Sequence, residues 1–156
     1  MSSNAVEPLI ARRRLLKGAA AVIVCRALPA LAVPEMPDIP LLKELLAGRT
    51  PRWERLRLQL PALADNGLAV PLKLSMPGPF APGPTVQAIH LFSEKNPVPD
   101  MASFEFQAPL ERIELETRVR LAGTQKVVAL AVMSDASLYA AAAEVIVTIA
   151  ACLDGS

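Results

Sequence analysis

A strict two-residue alternation over residues 113–121 is the feature that most constrains the fold of this chain. Apolar or β-branched side chains alternate there with charged ones: Ile113, Leu115, Thr117, Val119 and Leu121 against Glu114, Glu116, Arg118 and Arg120. Because successive side chains of a strand point to opposite faces, this pattern predicts a strand that is buried on one face only. Arg118 and Arg120 are then expected on a solvated face or at a partner's rim rather than in an anion site.

Other segments with strand-like composition are separated by turn residues, and those at 56–60 and 68–74 repeat the alternation. They predict strands at 56–60, 68–74, 86–92, 103–107, 127–133 and 138–149. Residues 65–67 (Asp-Asn-Gly) predict a turn, since Asn and Gly tolerate positive φ. Residues 76–84 hold four prolines and two glycines, which predicts an extended loop rather than a central strand. Fifteen prolines in the 156 residues also make long helices unfavourable.

About seven short strands in this order predict an all-β fold, an immunoglobulin-like antiparallel β-sandwich. Residues 127–133 would be apolar on both faces of a strand, which predicts a central strand. One short N-terminal helix is predicted from Asp38 as the N-cap, through Pro40 and an apolar spacing near 3.6, to Gly48. The larger apolar side chains are expected in the core or an interface: Trp53, Phe104, Phe106 and Met133.

The first 32 residues are typical of an export signal. The run Arg-Arg-Arg-Leu-Leu-Lys at 12–17 precedes an apolar stretch that ends in Ala-Leu-Ala at 30–32, a small-x-small cleavage pattern. The stretch is too short to span a membrane, and Arg26 interrupts it. The paired arginines resemble a twin-arginine signal, with a plain Sec signal as the alternative. The sequence therefore predicts a signal peptide at 1–32 and a single domain at 33–156, located in the periplasm.

Composition excludes several functional classes. With 16 Lys plus Arg against 15 Asp plus Glu and no basic stretch beyond residue 60, nucleic acid is not an expected partner. One histidine and two cysteines, without a Cys-x-x-Cys pair, argue against a tetrahedral zinc site and dithiol redox chemistry. No cofactor and no membrane association are predicted. Cleavage after Ala32 removes five basic residues and one acidic residue, which leaves a net charge of −3.

The same cleavage removes Cys25 and leaves Cys152 as the only thiol of an exported chain. Such a thiol is buried and inert, paired with another molecule, or kept reactive. No Lys, Arg or His lies within eight residues, and Asp154 raises rather than lowers a thiol pKa. Four residues beyond Thr148, the cysteine reaches at most about 13 Å from the last strand. These features favour a passive attachment point presented to other proteins.

Three stretches of the chain resemble the SoxY family of the bacterial Sox sulfur-oxidation system. They are Leu-Ala-Asp-Asn-Gly-Leu-Ala-Val-Pro-Leu-Lys at 63–73, Ile-His-Leu-Phe-Ser-Glu-Lys-Asn-Pro at 89–97, and Thr-Arg-Val-Arg-Leu-Ala-Gly-Thr-Gln at 117–125. The resemblance covers roughly residues 50–152. It implies a carrier rather than an enzyme, which pairs with a second sandwich subunit, SoxZ. It also implies that sulfur intermediates of thiosulfate oxidation are held covalently on Cys152 and presented to enzymes that load and process them.

The tail departs from the family pattern, in which the cysteine stands between pairs of glycines. Here Ala150 and Ala151 precede Cys152, and Leu153 and Asp154 follow it, so the tail is expected to be stiffer and more negative. An accessory or scaffold subunit that keeps the fold and the partner but carries no sulfur is the alternative function. A thiol-dependent enzyme lacks a base placed near the cysteine. His90, the only histidine, is expected to be a structural or surface residue.

Overall fold

A computed structural model of the chain describes residues 34–80 and 82–148. The predicted signal peptide and the tail that carries Cys152 both lie outside the described residues. Within those ranges, no helix is long and apolar enough to cross a membrane.

The described residues form one short helix and eight strands. In chain order these are α1 (Pro40–Leu46), β1 (Arg57–Gln59), β2 (Leu63–Ala64), β3 (Val70–Met76), β4 (Val86–Ser93), β5 (Asp100–Glu105), β6 (Ile113–Val119), β7 (Gln125–Met133) and β8 (Leu138–Val147). One sheet has three strands in the order β1-β3-β6, and the other has five in the order β2-β8-β7-β4-β5. The immunoglobulin-like β-sandwich is therefore confirmed. One pair departs from the antiparallel pattern, since β2 runs parallel to β8.

The inner faces of the two sheets enclose the main core, to which β7 contributes its Val127, Ala129 and Ala131 side chains. A second apolar cluster lies on the outer face of the five-stranded sheet, where α1 packs on alternate residues of β7 and β8. Leu42 of the helix is fully buried against Val128 and Leu130 in that cluster. This helix explains why β7, the middle strand of its sheet, is apolar on both faces.

Three local expectations need correction. Asp38 does not cap α1: the N-cap position is Ile39, which offers no side-chain hydrogen bond, and Asp38 pairs with Lys43 at 2.6 Å instead. The turn predicted at 65–67 is present, with the amide of Leu68 donating to Oδ1 of Asn66, but the connection between β1 and β3 also crosses to the other sheet and forms β2 there, which was not predicted. Finally, β5 begins at Asp100, three residues before the predicted start.

Candidate functional site

The last described residue, Thr148, lies where the chain leaves the five-stranded sheet. We call this end of the sandwich the exit end; it comprises Thr148 and the neighbouring loops at 65–69, 94–99 and 120–124. The family resemblance assigns the functional residue, Cys152, to the tail beyond Thr148. The described part of the site is therefore the base from which that tail departs.

Backbone hydrogen bonds fasten this base on its β2 side. The amide of Ile146 donates to the carbonyl of Ala62 at 2.9 Å, and the amide of Thr148 donates to the carbonyl of Ala64 at 3.1 Å. The parallel pairing of β2 with β8 provides both bonds. A strand of only two residues thus determines the position of the chain end.

Two threonine hydroxyls complete the fastening. The ladder between β7 and β8 begins at Gln125 and Val145, and beyond it the amide of Val147 donates to Oγ1 of Thr124 at 3.0 Å. The hydroxyl of Thr148 donates to the carbonyl of Asp65 at 2.7 Å. Val147 lies beyond the last residue pair of β7 and β8 and therefore has no backbone partner on that side. The Oγ1 of Thr124 takes the place of that partner, so β8 remains bonded on both sides up to Val147.

The neighbouring loops are held by one partly buried network of side-chain amides. The side chain of Asn96 donates to the carbonyl of Arg120 at 2.9 Å and accepts from the amide of Ala122 at 2.9 Å. Gln125, which is buried, donates to Oδ1 of Asn96 at 3.0 Å and accepts from the amide of Lys95 at 2.8 Å. Both side chains use donor and acceptor together, which makes the exit end a rigid platform.

His90 lies away from this platform, on the outer face of β4. Its Nδ1 is 2.8 Å from Oγ of Ser103 on β5, and its ring stacks on Phe92 with the centroids 6.2 Å apart. Partial burial lowers the pKa of His90 from its ordinary value of 6.5, against the raising effect of Asp100 and Glu105. With a serine as its partner on an open sheet face, His90 fits the structural and surface position expected from the sequence.

The charged residues of β6 lie on the exposed face of the three-stranded sheet, as the alternation predicts. Glu116 pairs across the sheet with Lys73, whose Nζ is 2.8 Å from Oε1. This hydrogen-bonded pair lowers the pKa of Glu116 and raises that of Lys73. Both side chains are largely exposed, so the pair contributes little to stability.

Two arginines lie at the opposite end of the sandwich. The guanidinium of Arg55 lies 5.5 Å from the ring centroid of Phe80 and 5.6 Å from that of Tyr139. Arg52 lies over the same tyrosine and donates to its hydroxyl at 3.3 Å. These contacts lie at the start of β8, whereas the exit end lies at the other end of the same strand.

Among the described residues, no group of three or more His, Cys, Asp or Glu side chains is arranged to hold a metal ion. The alternation in the sequence correctly placed Arg118 and Arg120 on the surface. It gave no sign that Thr124 and Thr148 hold the chain end, because a threonine next to a strand end is common and its partner is determined by tertiary structure. Asn96 lies in a predicted break, where an amide that bonds to backbone groups is an ordinary finding.

The described residues form a small all-β sandwich with one short helix, and Cys152, the functional residue predicted from the sequence, lies outside them. A sequence profile of the family described as sulfur oxidation protein SoxY matches residues 42–152. The chain belongs to the SoxY family.

A solved structure of the same family agrees with this assignment. The sulfur carrier protein SoxY from Chlorobium limicola f thiosulfatophilum is 29% identical, with a TM-score of 0.56, over 70% of this chain and 96% of that chain. The superoxide reductase (neelaredoxin) from Ignicoccus hospitalis is 14% identical, with a TM-score of 0.47, over 60% and 80% of the two chains. The superoxide reductase from Nanoarchaeum equitans is 15% identical, with a TM-score of 0.47, over 62% and 100%. These last two likenesses carry no functional argument. No curated protein sequence matches the chain.

Proposed function

We propose that this chain is a periplasmic sulfur carrier that holds intermediates of thiosulfate oxidation covalently on Cys152. The observation that supports this most directly is the extent of the family match, which runs from residue 42 to the cysteine at 152. A rigid exit end is consistent with this role, because a carrier must present its cargo from a fixed position. The chain supplies the attachment point, and partner enzymes supply the chemistry.

The electron balance explains why partner enzymes are needed. Joining the thiol of Cys152 to thiosulfate through a new S–S bond removes two electrons and releases one proton, so an enzyme with an electron acceptor must catalyse loading. Later steps hydrolyse or oxidise the carried group. We propose a SoxZ-like sandwich subunit as the permanent partner and sulfur-oxidation enzymes as transient ones.

Intact-mass spectrometry tests covalent carrying. The full chain with Cys25→Ser is incubated with thiosulfate and the loading enzymes of a sulfur-oxidising bacterium, and its mass is measured before and after treatment with reductant. We expect an adduct that reductant removes. The matched control, Cys25→Ser combined with Cys152→Ser, should remain unmodified. An equal adduct on the control, or none on either chain, would refute the carrier proposal.

The changed flanks of Cys152 favour one alternative, a scaffold subunit that keeps the partner and carries nothing. Replacing Ala150 and Ala151 with glycine and removing Leu153 and Asp154 separates the two functions. If the flanks only slow loading, the altered tail should be loaded faster than the natural one. A natural tail that stays unloaded beside an altered tail that loads would establish the scaffold.

The proposed export route has its own test. Replacing Arg12 and Arg13 with lysine should retain the chain in the cytoplasm, since the twin-arginine translocon requires the arginine pair. Cell fractionation measures this retention directly. Normal export of the lysine variant would indicate the Sec route instead.

A further inference from the structure

The two sheets of the sandwich do not match in width. In the three-stranded sheet, β1 contacts β8 of the other sheet, and the strand order then places β3 over β7 and β6 over β4. At that side of the molecule, β5 extends one strand beyond β6. Among residues 34–80 and 82–148, no strand lies above β5 and no fourth strand lies beside β6.

The burial of the side chains between the two sheets agrees with this difference in width. Side chains on the central strands, such as Leu91 and Ala129, are completely buried. Those on β5 and at the end of β6, among them Met101, Phe104 and Val119, are only partly buried. Together with the neighbouring loop they line a groove of about 550 Å³. The core is therefore open along the β5–β6 side.

The backbone along this side is also unpaired. The seven residues of β6 pair only with β3 in the described part of the chain, so the outer edge offers free N–H and C=O groups over about 23 Å. The free edge ends at Arg120, whose carbonyl is already bonded to Asn96. The groove also contains Asp100, whose buried Oδ1 receives no hydrogen bond from any described residue.

The charges along the edge indicate what would fit there. The outward positions read Glu114, Glu116, Arg118 and Arg120, and Glu116 is already neutralised by Lys73. Neither arginine belongs to an ion pair within residues 34–80 and 82–148. Carboxylates on an added strand would therefore find two free guanidinium groups opposite them.

We propose that the partner subunit adds one extended strand to β6, antiparallel to it, with apolar side chains over Met101 and Phe104 and carboxylates opposite Arg118 and Arg120. The mode is strand addition, in which backbone hydrogen bonds give affinity and alternate side chains give specificity. This inference rests on the proposed function only for the identity of the partner. The groove, the free edge and the charges belong to the described residues.

The shape of the groove favours a single strand over a second copy of this chain. If a second copy paired its own β6 with this β6, the protruding β5 of the second copy would occupy the space already filled by β4 and β5 of the first copy. A single strand, which needs only about 4.8 Å beside β6, lies over β5 without this conflict. We therefore expect the partner to provide a terminal segment or a protruding hairpin.

A synthetic peptide tests the proposal on the full chain. The probe is acetyl-Glu-Val-Glu-Val-Lys-Val-Lys-amide, which in the antiparallel register sets each charge opposite its complement on β6. Titration followed by backbone amide NMR should shift the resonances of β5 and β6 and leave those of β1 unchanged. The control peptide swaps the two charged residue types and reads acetyl-Lys-Val-Lys-Val-Glu-Val-Glu-amide. In the antiparallel register it sets like charges opposite one another, so it should bind at least tenfold more weakly.

Charge reversal on the chain completes the test. Arg118→Glu combined with Arg120→Glu should weaken binding of the first peptide about tenfold or more, whereas Arg57→Glu, an equally exposed change on the far edge of the same sheet, should not. Equal binding by the reversed variant, shifts centred on β1, or an absence of shifts at millimolar peptide would each overturn the proposal. Self-association of the chain that the same reversal abolishes would also overturn it, because the occupant would then be a second copy.

The outcome is independent of the carrier proposal, since peptide binding does not involve the thiol. Cys152→Ser should bind the peptide as tightly as the natural chain. Loss of loading with peptide binding intact would refute the carrier alone, and the reverse result would refute the docking strand alone.

Discussion

Among single residues, Gly78 has the most constrained surroundings. A Cβ built at this position would overlap the backbone carbonyl of Glu111, and backbone yields less easily than a flexible side chain. Gly78→Ala should therefore lower the free energy of unfolding by about 1–3 kcal/mol, measured by urea denaturation. Gly48→Ala is the matched control: its Cβ would meet no atom within 4 Å, so only the positive φ costs about 1 kcal/mol. An equal loss in the two variants would contradict the packing argument.

A second residue, His90, links stability to pH. Burial lowers its pKa below 6.5, so near pH 6 the folded chain binds fewer protons than the unfolded chain. Stability is then greatest above about pH 6.5 and decreases as the pH falls toward the folded pKa. The pKa of Asp135 is also lowered, by hydrogen bonds from Ser137, but that contribution disappears only at more acidic pH.

We expect the free energy of unfolding to fall between pH 7.5 and 5.5 and His90→Gln to reduce this slope. Urea denaturation at several pH values measures the slope, and Ser103→Ala serves as a control that keeps the imidazole. An identical slope in His90→Gln would show that other groups cause the pH dependence.

At the scale of elements, the end of β8 depends on a side chain rather than on a neighbouring strand. Thr124→Val keeps the shape of the side chain but removes the oxygen that accepts from the amide of Val147. We expect hydrogen exchange at Val147 to become faster, while exchange at Val145, which lies inside the regular β7–β8 ladder, stays unchanged. Thr124→Ser keeps the acceptor and should exchange like the natural chain. Equal exchange in the valine variant would mean that β2 alone holds the strand end.

The elements also differ in how far sequence could predict them. The alternation at 113–119 identified β6 and its exposed face, because the period of a strand is a local property. The same reasoning missed β2, since two residues are too few to show a period and their partner, β8, lies about 80 positions away. It also placed the start of β5 too late, because Asp100 after Pro99 has the composition of a loop.

The candidate site also combines a residue that the sequence predicts with contacts that it does not predict. The resemblance assigns Cys152 from its position in the chain, and that assignment remains a prediction. The fastening of the exit end by Thr124, Thr148 and Asn96 could not be read from sequence, because each bond joins residues that are distant in the chain. The open β5–β6 side likewise depends on the relative width of two sheets, which no local pattern encodes.

At the scale of the whole molecule, three surfaces can be distinguished, and two of them meet, because the β5–β6 groove shares Asn96, Val98 and Arg120 with the loops of the exit end. Helix α1 covers the outer face of the five-stranded sheet over β7 and β8, the exit end holds the base of the tail, and the β5–β6 side is left open. The proposed partner strand would run along β6, whereas the tail begins after β8, and this separation of strands would let a partner bind while the tail stays available. Within the described residues, β8 is already bonded to β2 and to β7 before the chain reaches Thr148.

A chain that ends at Thr148 tests this separation. Removing residues 149–156 keeps every described member of the two core clusters, so we expect the unfolding free energy to change by no more than about 0.5 kcal/mol. The shortened chain should bind the strand peptide with unchanged affinity, because β5 and β6 are intact, and it should accept no sulfur adduct because Cys152 is gone. Urea denaturation, NMR titration and intact-mass spectrometry give the three readouts. If the shortened chain unfolded or lost the peptide, residues 149–156 would belong to the sandwich itself, and the tail could not act as a separate handle.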